Sequence, residues 1–109
     1  MTAVSEPGHA AIVVRVDAEL RPLMAGFLAK RRAEVETLRG AVSAGDVAAL
    51  ALAGHGLKGV GGGYGLEELT RLGRNLEARA RAGDVAGAAA TVEVIADYLA
   101  RVEVVFDDV

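Results

Sequence analysis

Ala44-Gly45-Asp46-Val47-Ala48 recurs near the far end of the chain as Ala82-Gly83-Asp84-Val85-Ala86. In each copy the glycine suits the left-handed position that ends a helix, and the aspartate suits the cap of the next one. The two stretches therefore read as tight helix-to-helix turns, and short turns make antiparallel neighbours. The echo stops after a few residues, so it is one turn chemistry used twice and not a repeat architecture.

Helical patterns extend outward from both turns. Between them, Val47, Leu50, Gly54, Leu57 and Gly61, then Leu66, Leu69, Gly73, Leu76 and Ala80, are spaced alternately by three and four residues, the signature of one buried helix face. After the second turn Val85, Ala88, Val92, Ile95, Leu99, Val102 and Phe106 form the cleanest stripe, with Glu93, Asp97, Arg101 and Glu103 between them. Before the first turn, Asp17 suits a helix cap, with Glu19 in the first turn and Pro22 early enough to be tolerated. From there Leu20, Leu23, Phe27, Val35, Leu38 and Val42 keep to helical steps, and Lys30, Arg31, Arg32, Glu34 and Glu36 take the other positions. After a short Ile12-Val13-Val14 stretch, no segment alternates with period two for long enough to read as a strand. The expected fold is all-α: an antiparallel four-helix bundle over 17–109, with room for a short amino-terminal helix, preceded by a partly mobile segment over 1–16.

Composition narrows the function classes. The chain has 109 residues, 52% hydrophobic, 25% charged and 4% aromatic, which is one domain with an aliphatic core and excludes a two-domain enzyme. Twelve Lys and Arg against fifteen Asp and Glu give a net charge of -3, so the electrostatic footprint of a nucleic-acid binder is missing. The absence of cysteine excludes disulfides, thiol nucleophiles and cysteine-ligated metals. Met1 to Gly8 lacks the basic and apolar regions of a secretory signal, and the longest apolar runs, Val47 to Gly54 and Val85 to Val92, are far too short to span a membrane. These features place the chain in the cytoplasm, without a membrane partner.

Glycine is crowded into one place. Gly54, Gly56, Gly59, Gly61, Gly62, Gly63 and Gly65 fall in a stretch whose start is helical by its apolar spacing. An interior glycine costs a helix about 0.8–1.0 kcal/mol against alanine, so close packing or close approach by a partner must require small residues here. At about 100° per residue, His55 lies roughly 120° from the centre of the apolar stripe, facing solvent or the edge of the bundle. Around it on the same projection are Ala48, Ala51, Gly59 and Gly62, with Lys58 one turn along. A lone histidine is most often an ordinary surface residue. This one has a clear approach at Gly59 and a cation at Lys58, as a reactive imidazole meeting a second protein would need.

His55-Gly56-Leu57-Lys58-Gly59, followed by Val60-Gly61-Gly62-Gly63-Tyr64-Gly65-Leu66, resembles the signature of histidine phosphotransfer (HPt) domains, and the likeness continues through Leu69 to Leu76. The resemblance implies a phosphorelay intermediate of two-component signal transduction. Its histidine takes a phosphoryl group from a receiver-domain aspartate, or from a histidine kinase, and passes it to another receiver. It further implies that His55 is the phosphorylated nucleophile, Lys58 the basic residue beside the phosphoryl group, Gly59 the small residue that leaves it accessible, and Gly65 the turn into the next helix. Two positions depart from the pattern: Gly61 stands where the family often has a small hydroxyl residue, and Gly56 where a polar residue is commoner. The first removes a hydroxyl hydrogen bond near the site.

An unperturbed imidazole titrates at about 6.5, so the neutral nucleophile needs no activating base at cytosolic pH. Phosphoryl transfer then depends mainly on alignment and positive charge. Lys58 would supply part of that charge, and a receiver would bring its own Mg2+. This chain is expected to have no cofactor or metal of its own, since its other histidine, His9, lies in the amino-terminal segment. The expected partners are receiver domains and a histidine kinase, with no nucleic acid, and the expected state is a monomer. Arg71, Arg74, Arg79 and Arg81 could steer an acidic receiver, but read first as a solvated helix face, as does Lys30-Arg31-Arg32.

Gly54-His55-Gly56-Leu57-Lys58-Gly59 also fits the dinucleotide pattern G-x-G-x-x-G, but it follows a capped helix and not a strand. Lys58 is followed by Gly59 and not by Ser or Thr, so the phosphate-loop pattern fails too, and no ATP-dependent kinase activity is expected. Tyr64 reads as packing at the helix junction. The alternative to a phosphocarrier is a helical adaptor that binds a receiver or kinase without carrying phosphate. Met1 and the ending at Phe106-Asp107-Asp108-Val109 fit a free-standing protein better than a domain cut from a larger chemotaxis-type kinase.

Overall fold

The computed structural model describes residues 10–107. Four helices carry the fold: α1 (Arg21–Ala44), α2 (Val47–Gly61), α3 (Glu67–Arg81) and α4 (Val85–Arg101). Both AGDVA segments turn as their chemistry dictates. Gly45 and Gly83 take φ of 66° and 75°. Asp46 accepts a hydrogen bond from the Ala49 amide at 3.0 Å, and Asp84 accepts one from the Gly87 amide at 2.9 Å. Each aspartate thus satisfies a helix-start amide that would otherwise lack a partner.

The predicted stripes meet in one core, except that Leu23 of α1 is exposed and Met24 and Leu28 take the inward face. Leu50, Leu66, Leu69, Leu76, Val92, Ile95 and Leu99 are fully buried, with Met24, Phe27, Leu28, Val35 and Leu38 of α1 closing over them. The expected all-α bundle is the observed one. The short amino-terminal helix is a single 3-10 turn, Ala18–Leu20, capped by Asp17 at the Glu19 amide and running directly into α1.

The two ends of the described chain depart from the sequence reading. Residues Ile12–Val16 form β1 and Val102–Phe106 form β2, paired in parallel with Ile12 opposite Val102 and Val16 opposite Phe106. The last helix therefore ends at Arg101 and does not run through Phe106. The error has a physical cause: steps of three and four carry a helical stripe from Leu99 to Val102 and Phe106, and the even-numbered positions 102, 104 and 106 also form one face of a strand. That face, Val102, Val104 and Phe106, packs inward while Glu103 and Val105 are exposed. Three β-branched valines in five residues favour the strand once a partner is present. Of the segment 1–16, expected to be partly mobile, Ile12–Val16 is the strand paired with β2, and residues 1–9, including His9, lie outside the described residues.

Candidate functional site

His55 projects from the middle of α2 with its side chain 61% exposed. Helical periodicity dictates this placement: Gly54 and Leu57 are buried on the core face and His55 sits beside that face, pointing out.

Some of the crowded glycines exist for the contact between α2 and α3. A Cβ on Gly54 would lie 2.5 Å from the Glu77 amide nitrogen, and a Cβ on Gly73 would lie 2.5 Å from that of Lys58. One on Gly61 would lie 2.6 Å from Thr70 Oγ1. The two backbones thus approach to distances that no side chain allows, and the approach carries Glu77 of α3 beside His55 and Lys58 of α2. Gly56, Gly59 and Gly63 are different, since a Cβ on any of them would meet nothing within 4 Å. Their smallness faces open space.

Glu77 is buried, with its residue only 7% exposed, and it gathers three cationic or potentially cationic groups. Lys58 Nζ lies 2.7 Å from Oε1, Arg81 Nη2 2.7 Å from Oε2, and His55 Nδ1 3.1 Å from the same Oε2. A carboxylate so surrounded is strongly favoured in its charged form. The Lys58 ammonium, followed by His55 and Arg81 and against the opposing effect of burial, holds the Glu77 carboxyl down at about 2. An ionised carboxylate only accepts hydrogen bonds, so His55 donates through Nδ1–H and its other nitrogen, Nε2, lies on the side of the ring away from Glu77.

The predicted residues come together as follows. His55 and Lys58 converge on Glu77, and Gly59, at i+4 from the histidine, leaves that side open. Gly65 makes the turn into α3 at φ 76°, where a Cβ would lie 2.9 Å from Val16 Cγ1. Tyr64 stacks on Phe27 with ring centroids 3.9 Å apart, a packing role at the helix junction. At Gly61, where the family often has a small hydroxyl residue, a side chain would collide with Thr70 Oγ1, which is buried against that glycine without a hydrogen-bond partner. Gly56 borders a cleft of about 300 Å3 between α1 and α2 that Arg31, Glu34 and Leu38 also line.

The basic residues divide. Arg71 pairs with Glu68, Arg79 with Asp84, and Arg81 with Glu77. In the cluster Lys30-Arg31-Arg32, Arg31 pairs with Glu34 and Arg32 donates to the Leu99 carbonyl at 2.8 Å, so both serve the bundle. Among the described residues no group of three or more His, Cys, Asp or Glu could hold a metal, and no helix is long and apolar enough to cross a membrane. Glu77 and its pairing with Arg81 are not among the features the sequence marks out for the site. A signal existed: Gly54 and Gly73 both fall on apolar stripes, and the residue at i+4 from Gly73 is Glu77.

Residues 22–104, from the start of α1 to the middle of β2, match the family model of the Hpt domain. The chain belongs to the Hpt domain family. No curated protein and no solved structure gives a significant match. Hpt domains take part in histidine-containing phosphotransfer in two-component signalling, as phosphocarriers and not as kinases.

Proposed function

We propose that this Hpt domain is a phosphorelay intermediate that accepts a phosphoryl group on Nε2 of His55 and hands it to a receiver aspartate. The observation that supports this most directly is the 3.1 Å contact between His55 Nδ1 and the buried Glu77 carboxylate. It orients the ring with Nδ1 toward the protein and leaves Nε2 on the exposed side, the placement that a nucleophilic nitrogen needs.

In loading, the Nε2 lone pair attacks phosphorus of an aspartyl phosphate. The Nε2–P bond forms as the P–O bond to the aspartate breaks, and the electron pair of that bond leaves with the carboxylate. The transition state is loose and spreads charge over the equatorial oxygens, so alignment and nearby cations supply most of the acceleration. Lys58 is the cation on the same helix face, and the Mg2+ expected on the receiver supplies the rest. In unloading, a proton kept on Nδ1 by Glu77 lets the imidazole leave as a neutral group when a second aspartate attacks. A histidine kinase could load the same nitrogen. The chain is read as acting in the cytoplasm, as a monomer and without a cofactor of its own.

The experiment is transfer of labelled phosphate from a panel of phosphorylated receiver domains to the parent chain and to His55→Ala. Label that depends on His55, is lost in acid and survives alkali supports the phosphocarrier. A folded His55→Ala chain that is labelled as well as the parent would end the proposal. Binding of a receiver to a chain that no receiver labels would put the adaptor in its place.

A further inference from the structure

Arg81 is not needed to explain why Glu77 is ionised, because Lys58 already pairs with that carboxylate at 2.7 Å. It nevertheless lies 2.7 Å from Oε2, the oxygen to which His55 Nδ1 donates at 3.1 Å. It reaches that oxygen from i+4 on α3, with its own side chain 65% exposed. Resting on the phosphocarrier reading above, we infer that Arg81 is a positioning residue of the site: it shares Glu77 Oε2 with His55 and so keeps the imidazole neutral, protonated at Nδ1 and free at Nε2.

A carboxylate oxygen offers two lone-pair directions. With the guanidinium on one, the other is aimed at Nδ1, an orientation Lys58 cannot impose from Oε1. A buried carboxylate beside a histidine also favours the imidazolium, which has no lone pair on Nε2 and cannot attack phosphorus. Two permanent cations on Glu77 oppose that second proton, since with Lys58 and Arg81 charged and His55 neutral the cluster is already net positive. The charged groups that face His55 are Lys58 from α2 and Glu77 and Arg81 from α3. From α1, Arg31 and Glu34 border the cleft beside Gly56 and pair with each other at 3.0 Å. Among the described residues α4 contributes no ion-pair partner to the cluster.

The test uses the full chain and phosphoramidate, a small donor with no docking surface of its own. Loading rates are measured from pH 6 to 8.5 for the parent, Arg81→Gln and Arg81→Lys, and ring 15N spectra record the protonation of His55. Arg81→Gln is expected to load about two- to fivefold more slowly than the parent at pH 6 and to converge with it above about pH 8, with more imidazolium in its spectra at low pH. Arg81→Lys, which retains a cation, should recover at least half of the loss. A rate ratio that is the same at every pH, with unchanged ring spectra, would overturn the inference. So would unchanged phosphoramidate loading combined with slower transfer from receivers, which would make Arg81 a steering residue. If the parent takes no phosphate on His55, the phosphocarrier reading fails, and the ring spectra of Arg81→Gln still decide what Arg81 does to the imidazole.

Discussion

Gly54 of α2 and Gly73 of α3 face each other so closely that a Cβ on Gly54 would lie 2.7 Å from the Gly73 carbonyl oxygen, and one on Gly73 would lie 2.8 Å from that of Gly54. Backbone meets backbone in both directions, so no rotamer change can make room. This contact sets the distance between α2 and α3, and hence the reach of Glu77 to His55.

Gly73→Ala should therefore cost stability despite alanine's better helix propensity. Forced separation of the helices is expected to destabilise the bundle by about 1–3 kcal/mol, read as a lower urea midpoint, and to slow loading of His55 as Glu77 is carried away. A midpoint equal to or above the parent's would show that the helices do not meet as described.

Gly59→Ala should do the reverse. Its Cβ meets nothing within 4 Å, so the gain in helix propensity, about 1 kcal/mol at most, is free to appear as stability. The added methyl stands one turn from His55 on its open side and should reduce transfer from receivers severalfold, with a smaller effect on loading by phosphoramidate. Equal effects on the two donors would remove the steric role assigned to Gly59.

Glu77 makes the stability of the fold sensitive to acid. Its carboxyl is held at about 2 against an ordinary 4.5, so the ionised form is favoured in the folded state. The resulting stabilisation is complete above about pH 4.5 and is lost as the pH falls toward 2. Glu77→Gln should lower the melting temperature at pH 7, where Lys58 and Arg81 lose their carboxylate, and should show a smaller further loss between pH 4.5 and 2 than the parent. Parallel melting curves for the two proteins through that window would refute the assignment.

Lys58 pairs with Glu77 in the resting site, and on the proposed function its ammonium would also face the phosphoryl oxygens during transfer. Lys58→Ala should slow loading about tenfold without abolishing it, since the nucleophile and Arg81 remain. The measurement is single-turnover transfer from a phosphorylated receiver, and a rate equal to the parent's would remove the electrostatic role.

Most of the bundle was legible because its causes are local. Stripes at steps of three and four predicted which faces of α2 and α3 are buried, and the Gly-Asp pairs predicted where helices stop and restart. The same projection placed His55 outside the core. Glu77 was harder to see, because its meaning comes from a neighbour 22 residues away across a helix interface, and an acidic residue within Arg-Asn-Leu-Glu-Ala-Arg reads locally as solvated surface. The strands were invisible for a related reason. Five residues at each end have no partner in sequence, and only the completed bundle brings Ile12 to Val102.

That pairing also implies an order of events in folding. Joining Ile12 to Val102 closes nearly the whole chain into one loop, and the entropy lost on closure is regained only if the intervening helices already hold the ends together. The seam between β1 and β2 is therefore the last structure to form and the first to open, and its amides should lose protection from hydrogen exchange ahead of those in α2 and α3. The face that presents His55 thus belongs to the part of the molecule that folds early and opens late.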